Sequence, residues 1–209
     1  MKTDRIRIIV NIAIAIAVFG AWLSMFFRGG GFLASAGVRS LRYFTTLSNL
    51  LEGVAAAALA VTLIRGKDPA KLGVFKLVAT AAVTLTFLVV VLFLGPLYGY
   101  PRMFRGANLW FHLIIPLVAI AEFIAFNGAE IPKKKRLWVV ISPLVYGTVY
   151  LINILMNGAE GNDVYGFTLW GYPVAAVIFA AICAMTYLAG VLLAKANERV
   201  RRRKDAEKA

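Results

Sequence analysis

The chain has 209 residues, of which 61% are hydrophobic and 16% charged, with a mean hydropathy of +0.78. An ordinary soluble domain carries about 25% charged residues and could not bury this much apolar surface, which argues against a water-soluble fold. The net charge of +13 comes from basic residues placed between and after long apolar runs. Insertion topology and anionic lipid headgroups account for that pattern, and no nucleic-acid partner is expected.

Crossing the hydrocarbon core takes roughly 20 mostly apolar residues per helix. Six segments qualify, at about Ile6–Phe27, Phe44–Ile64, Leu77–Leu94, Leu109–Phe126, Leu137–Met156 and Val174–Leu193. The expected fold is all-α, an integral membrane bundle of six transmembrane helices over residues 1–194 with a basic tail at 195–209. The first segment follows Lys2, Arg5 and Arg7 and offers no small-residue cleavage site, so it reads as a signal anchor.

The second segment opens with Tyr43-Phe44-Thr45-Thr46-Leu47-Ser48-Asn49 and continues to Glu52. Thr45, Ser48, Asn49 and Glu52 recur at spacings of three and four, which predicts a polar face turned into the bundle. Thr46 lies about 100° round from Thr45, and helical phase alone does not choose between the two.

The fourth segment carries the only histidine, His112, with Pro116 four residues on and Glu122 ten residues on. Pro116 cannot donate to the His112 carbonyl, so a kink with a polar, partly hydrated mouth is expected there. Glu122 lies about 15 Å further along the helix, too far for direct contact with the imidazole, and is expected to be a structural pin. Glu52 either polarises the threonine region through Asn49 or belongs to a proton path.

The fifth segment contributes Tyr146, Tyr150 and Asn153, and the loop after it holds Glu160, Asn162, Asp163, Tyr165, Trp170 and Tyr172. With Tyr98, Tyr100, Arg102 and Arg105 of the third loop, these residues form an aromatic belt or roof a pocket. In the second case Arg102, Arg105 and Tyr165 would receive the headgroup of an acidic amphiphile. The lone Cys183 lies in the last apolar run and reads as a small buried hydrophobe, with no disulfide and no thiolate metal site. One histidine cannot build a His-rich metal site, and no metal or cofactor is expected.

Lys and Arg residues are unevenly divided between alternate sides, with eighteen of the 23 at the N-terminus, in Arg65–Lys76, in Lys133–Arg136 and from Lys195 onward. The remaining five are Arg28, Arg39, Arg42, Arg102 and Arg105. The positive-inside rule then places both termini in the cytoplasm and the protein in the plasma (cytoplasmic) membrane. The basic tail would lie against anionic headgroups.

Four features taken together are Phe44-Thr45-Thr46-Leu47-Ser48-Asn49-Leu50, the histidine followed by a proline, the acid ten residues after that histidine, and Asn162-Asp163-Val164-Tyr165-Gly166-Phe167. In these the sequence resembles a prokaryotic member of the androgen-induced protein family, which includes the androgen-dependent TFPI-regulating protein. That resemblance covers most of the chain. It implies a multi-pass membrane hydrolase of fatty acid esters of hydroxy fatty acids, with a threonine nucleophile on one helix and a histidine on another. The family histidine falls on His112 and the acidic position on Glu122. The threonine falls on Thr46 by the pattern of the animal proteins, which is preferred, or on Thr45 by that of bacterial relatives. Where the family usually has Tyr-Pro-Phe, this chain has Tyr165-Gly166-Phe167.

The leading expectation is therefore an intramembrane hydrolase of lipid esters. Thr46 or Thr45 would be the nucleophile, His112 the general base, and Ser48 or Asn49 an oxyanion donor, with Glu52, Glu122 and Asn153 in support. An acyl-chain lipid would be the substrate. A different class remains open, a lipid-binding protein or proton-coupled transporter in which Glu52, His112 and Glu122 carry protons.

Overall fold

The computed structural model describes residues 2–27 and 37–207, and Arg28 and Lys208, which entered the charge count, lie outside them. Among the described residues the chain is all-helical. Six helices are long and apolar enough to cross a membrane: α1 (Asp4–Phe26), α2 (Phe44–Ile64), α3 (Pro69–Tyr98), α4 (Ala107–Phe126), α5 (Lys133–Asn157) and α6 (Tyr172–Ala206).

Most bounds follow the apolar runs, with two differences. The helical stretch of α3 begins before the expected Leu77, because Lys76 is not a loop residue but lies inside the bundle, 1% exposed. Arg7 is buried in the bundle as well, at 6% exposure, so sixteen Lys and Arg residues remain on the richer side against five, and the asymmetry keeps its direction. Secondly, α6 continues unbroken to Ala206, so the basic tail, expected as a frayed helix end, is regular helix to that residue. Asn197 explains why. It is buried, and its side-chain amide reaches the carbonyls of Phe123 (3.1 Å), Ile124 (3.0 Å) and Asn127 (2.8 Å), satisfying the C-terminal end of α4.

The first and last helices share one face of the bundle: Arg7 of α1 approaches Glu122 near the end of α4, and Lys204 of α6 donates to the Ala125 carbonyl at 2.7 Å. The start of α2 and the 158–171 loop lie together on the opposite face, where the Phe44 amide donates to the Tyr165 hydroxyl at 2.9 Å.

Close packing rests on small residues, as is usual where helices pack without a hydrophobic drive from water. A Cβ on Gly53 of α2 would fall 2.8 Å from Val18 of α1, and one on Gly147 of α5 would meet the Phe179 ring of α6 at 2.1 Å. The central helix is α3, whose most apolar stretch is 56% buried, against 17% for α5. One apolar core joins Ile14, Val18 and Met25 of α1 to Ala56 of α2 and Phe111 and Ile115 of α4, beneath the candidate site.

Two of the three helices with a proline after an apolar run have a widened turn just before it, and the third, α5, passes through Pro143 without one. In α4 residues Trp110–Ile114 form a π-turn in which the Ile115 amide bonds to the Trp110 carbonyl, and Pro116 follows. In α3 the turn is Val90–Leu94, ahead of Pro96. A proline ring clashes with the carbonyl four residues back, and adding one residue to the turn relieves the clash without breaking the helix. A π-turn thus stands where a kink with a polar, partly hydrated mouth was expected, and His112 within it is only 2% exposed, so the residue does not sit at an open mouth.

Candidate functional site

The polar face of α2 divides in two. Thr45, Ser48 and Glu52 turn towards α3: the Ser48 hydroxyl bonds to Thr86 Oγ1 at 2.9 Å, and Glu52 accepts from Thr80 Oγ1 at 3.2 Å. Thr45 lines a cavity of about 100 Å³ with Thr86, Tyr146 and Tyr165. Thr46, Asn49 and Gly53 turn the other way, with Gly53 against α1. The Asn49 amide donates to the Thr45 carbonyl at 2.8 Å and to the Phe111 carbonyl of α4 at 3.1 Å. This separates the two threonines: Thr46 shares a face with the residue that binds α4 next to His112, and Thr45 does not.

Thr46 is fully buried, and its hydroxyl has no hydrogen-bond partner among the described residues. On α4, His112 is 2% exposed within the π-turn, and its Nδ1 lies 2.8 Å from the Met103 carbonyl. A carbonyl can only accept, so Nδ1 carries the hydrogen and Nε2 keeps the lone pair, the tautomer a base requires. Asn108, four residues before His112 and so on the same side of its helix, is 1% exposed with both amide atoms unpartnered, and Asn49 Oδ1 is unpartnered as well. Sequence reasoning missed Asn108, although its spacing of four from the only histidine was visible. Met103 carried no signal, since its backbone and not its side chain makes the contact.

Glu52 and Glu122 belong to a separate cluster at greater depth. Lys76 Nζ bonds to Glu52 Oε1, lies 3.3 Å from Glu122 Oε2 and donates to Asn11 Oδ1 at 3.2 Å. Asn11 in turn donates to Glu122 Oε1 at 2.7 Å, and Arg7 Nε lies 3.9 Å from the same oxygen. Two acids and two bases, all buried, thus offset one another. Glu122 thus bridges α1, α3 and α4, and Glu52 is bound to Lys76 and Thr80, away from Asn49.

The headgroup candidates do not converge. Arg102 and Arg105 are exposed on either side of Met103, by the His112 end of α4. Tyr165 instead packs edge-on to Tyr43 and against Tyr146, Tyr150 and Phe167, and its hydroxyl holds the first amide of α2. Burial, above all, raises its hydroxyl well above the ordinary pKa, so it stays protonated. Asn153 is likewise remote from the threonine: it donates to Asn162 Oδ1 at 3.3 Å.

That loop is organised by Asp163, which accepts from the Thr168 hydroxyl (2.6 Å), the Thr168 amide (2.8 Å), the Phe167 amide (2.9 Å) and the Tyr150 hydroxyl. Partial burial opposes its ionisation, but these donors outweigh it and hold the carboxyl down at about 2.

A larger groove of about 980 Å³ runs between α2, α3 and α5, and neither it nor the small cavity is lined by Thr46 or His112. No protein-family model matches the chain, and no curated protein or solved structure is significantly similar to it.

Proposed function

We propose that this is a multi-pass hydrolase of lipid esters, with Thr46 as nucleophile and His112 as general base. The observation that carries the reading is the buried, unpartnered hydroxyl of Thr46 on the one face of α2 that Asn49 ties to the residue preceding His112. An unsatisfied buried polar atom costs about 1–3 kcal/mol, and such a cost persists at a site where function needs the group. The resemblance to androgen-induced hydrolases points to the same pair.

In the reaction, His112 Nε2 takes the Thr46 proton as Oγ1 attacks the ester carbonyl carbon. Collapse of the tetrahedral intermediate breaks the C–O bond, and the leaving alkoxide takes the proton back from the imidazolium. Water, deprotonated by the same Nε2, then hydrolyses the acyl-threonine and releases the free acid. The negative oxygen needs a donor. Asn49 Nδ2 is committed to two carbonyls and Ser48 faces α3, which leaves Asn108 Nδ2, with no partner of its own, as the better candidate. Arg102 and Arg105 beside Met103 are placed for an acidic headgroup. Met103, whose carbonyl holds His112, sits on the short helix Tyr100–Met103, flanked by Gly99 (φ 86°) and Gly106 (φ 59°) in conformations that favour glycine.

The charge asymmetry supports a cytoplasmic-membrane protein with both ends inside, its basic α6 end against anionic lipid. Ion pairing of both glutamates with Lys76 favours a structural role for them over proton carriage. A fluorophosphonate lipid probe tests the catalytic reading. Wild type and Thr45→Ala should label, while Thr46→Ala and His112→Ala should lose labelling by about 10²-fold or more, as expected for losing a nucleophile–base pair. Labelling that survives in both of the latter variants rules the mechanism out.

A further inference from the structure

We infer that the groove between α2, α3 and α5 binds an anionic phospholipid, with Arg42 on the phosphate and the acyl chains along the groove floor. The groove exists because α5 stands away from the bundle, its most apolar stretch only 17% buried. Leu47 and Leu51 of α2, Val74 and Val78 of α3, and Val145 and Val149 of α5 line it over a volume of about 980 Å³. Exposed apolar residues are ordinary on a helix facing lipid, but a concavity of this size is not explained by exposure alone. The serines along it present no free polarity to a ligand: Ser48 is bonded to Thr86 and the Thr45 carbonyl, and Ser142 to the Val139 carbonyl.

The floor is therefore apolar, and one cation stands at the mouth. Arg42 is exposed, two residues before α2 begins, and donates to the uncharged Gly161 carbonyl. No carboxylate pairs with it among the described residues: of the two acids in the adjoining loop, Asp163 is occupied by Tyr150, Phe167 and Thr168, and Glu160, beside Gly161, makes no ion pair with Arg42. A guanidinium with donors to spare at the end of an apolar trough is complementary to a phosphate carrying acyl chains. Residues 42–44 begin α2 and so sit at the level of headgroups in a bilayer. This site lies on the opposite side of α2 from Thr46 and does not depend on the threonine chemistry.

Native mass spectrometry of the full-length protein, released from micelles doped with phosphatidylglycerol, phosphatidylcholine or oleate, tests it. Wild type should retain one phosphatidylglycerol at about tenfold or greater preference over phosphatidylcholine. Arg42→Gln should bring that ratio near one and Arg42→Lys should keep part of it. Val145→Trp, which fills the groove from a lipid-facing position, should lose both lipids, with far-UV circular dichroism confirming the fold of each variant. The inference is overturned by equal retention of the two phospholipids in wild type, by a preference that survives both Arg42→Gln and Val145→Trp, by oleate held in place of phosphatidylglycerol, or by a lipid-free dimer closed through this groove.

Discussion

The Lys76 cluster and the Thr46 cluster both take polar side chains out of water in one bundle, about 9 Å apart along α2. In the first, each charge has an opposite charge within 4 Å: Lys76 meets Glu52 and Glu122, and Arg7 meets Glu122. Arg7 Nε and Glu122 Oε2 make no hydrogen bond, yet each is within ion-pair distance of an opposite charge, Arg7 Nε of Glu122 Oε1 and Glu122 Oε2 of Lys76. In the second, the Thr46 hydroxyl, Asn49 Oδ1 and the whole Asn108 amide have no partner among the described residues. A bundle that pairs its charges this closely has left neutral polar atoms unpaired only a few residues away. The difference separates groups that hold helices together from groups whose polarity the bundle itself does not use, as the proposed catalytic site would require.

The largest effect that would break this comparison comes from Lys76→Met. Removing one member of a buried pair leaves uncompensated charge and costs about 3–5 kcal/mol. Adding Glu52→Gln to it leaves only the Arg7–Glu122 pair and should recover at least half of the lost thermal stability in detergent. If the double variant melts no higher than Lys76→Met alone, the cluster is not a set of offsetting charges.

The opposite sign is expected at Thr46. Thr46→Val keeps shape and removes an unpartnered buried hydroxyl, so stability should rise by about 1 kcal/mol or more, and on the proposed mechanism ester hydrolysis should be lost. Ser48→Ala, which breaks the bond to Thr86, should instead lower stability by about 1 kcal/mol. A Thr46→Val protein that is less stable than wild type would mean that the hydroxyl is paired in the folded protein after all.

Much of the frame was readable beforehand because spanning helices leave long apolar runs, and the bounds of α2 coincide with its run. The start of α3 was not, since Lys76 next to three other basic residues looks like a loop. Its partners lie 24 and 46 positions away in sequence, and only the tertiary fold brings Glu52 and Glu122 to it. Asn197 was hidden similarly, a capping amide inside a basic stretch. Helical phase put Thr45 on the polar face of α2 and Thr46 about 100° from it without choosing between them, and only the Asn49 contact to Phe111 shows which face meets α4. Asn153 looked like a partner for that face, yet α5 stands apart and pairs it with Asn162.

The smallest expected effect lies in the loop above α2, and it couples the two faces of the comparison through pH. Asp163 is held at about 2 against an ordinary 3.8, so its contribution to order is fully present above about pH 4 and is lost as pH falls towards 2. Because the carboxyl is only partly buried, solvent screens it and the change in melting should be slight. Its reach is larger than its energy, for the loop it organises carries Tyr165, whose hydroxyl holds the first amide of α2 two residues before Thr46. Asp163→Asn should therefore resemble the acid state at neutral pH, with hydrolysis reduced several-fold and melting nearly unchanged. It should also flatten the acid limb of the melting curve between pH 4 and 2.5, leaving the penalty of Lys76→Met as it was. If Asp163→Asn keeps the wild-type acid limb, the loop is not what titrates, and the order at the start of α2 has another source.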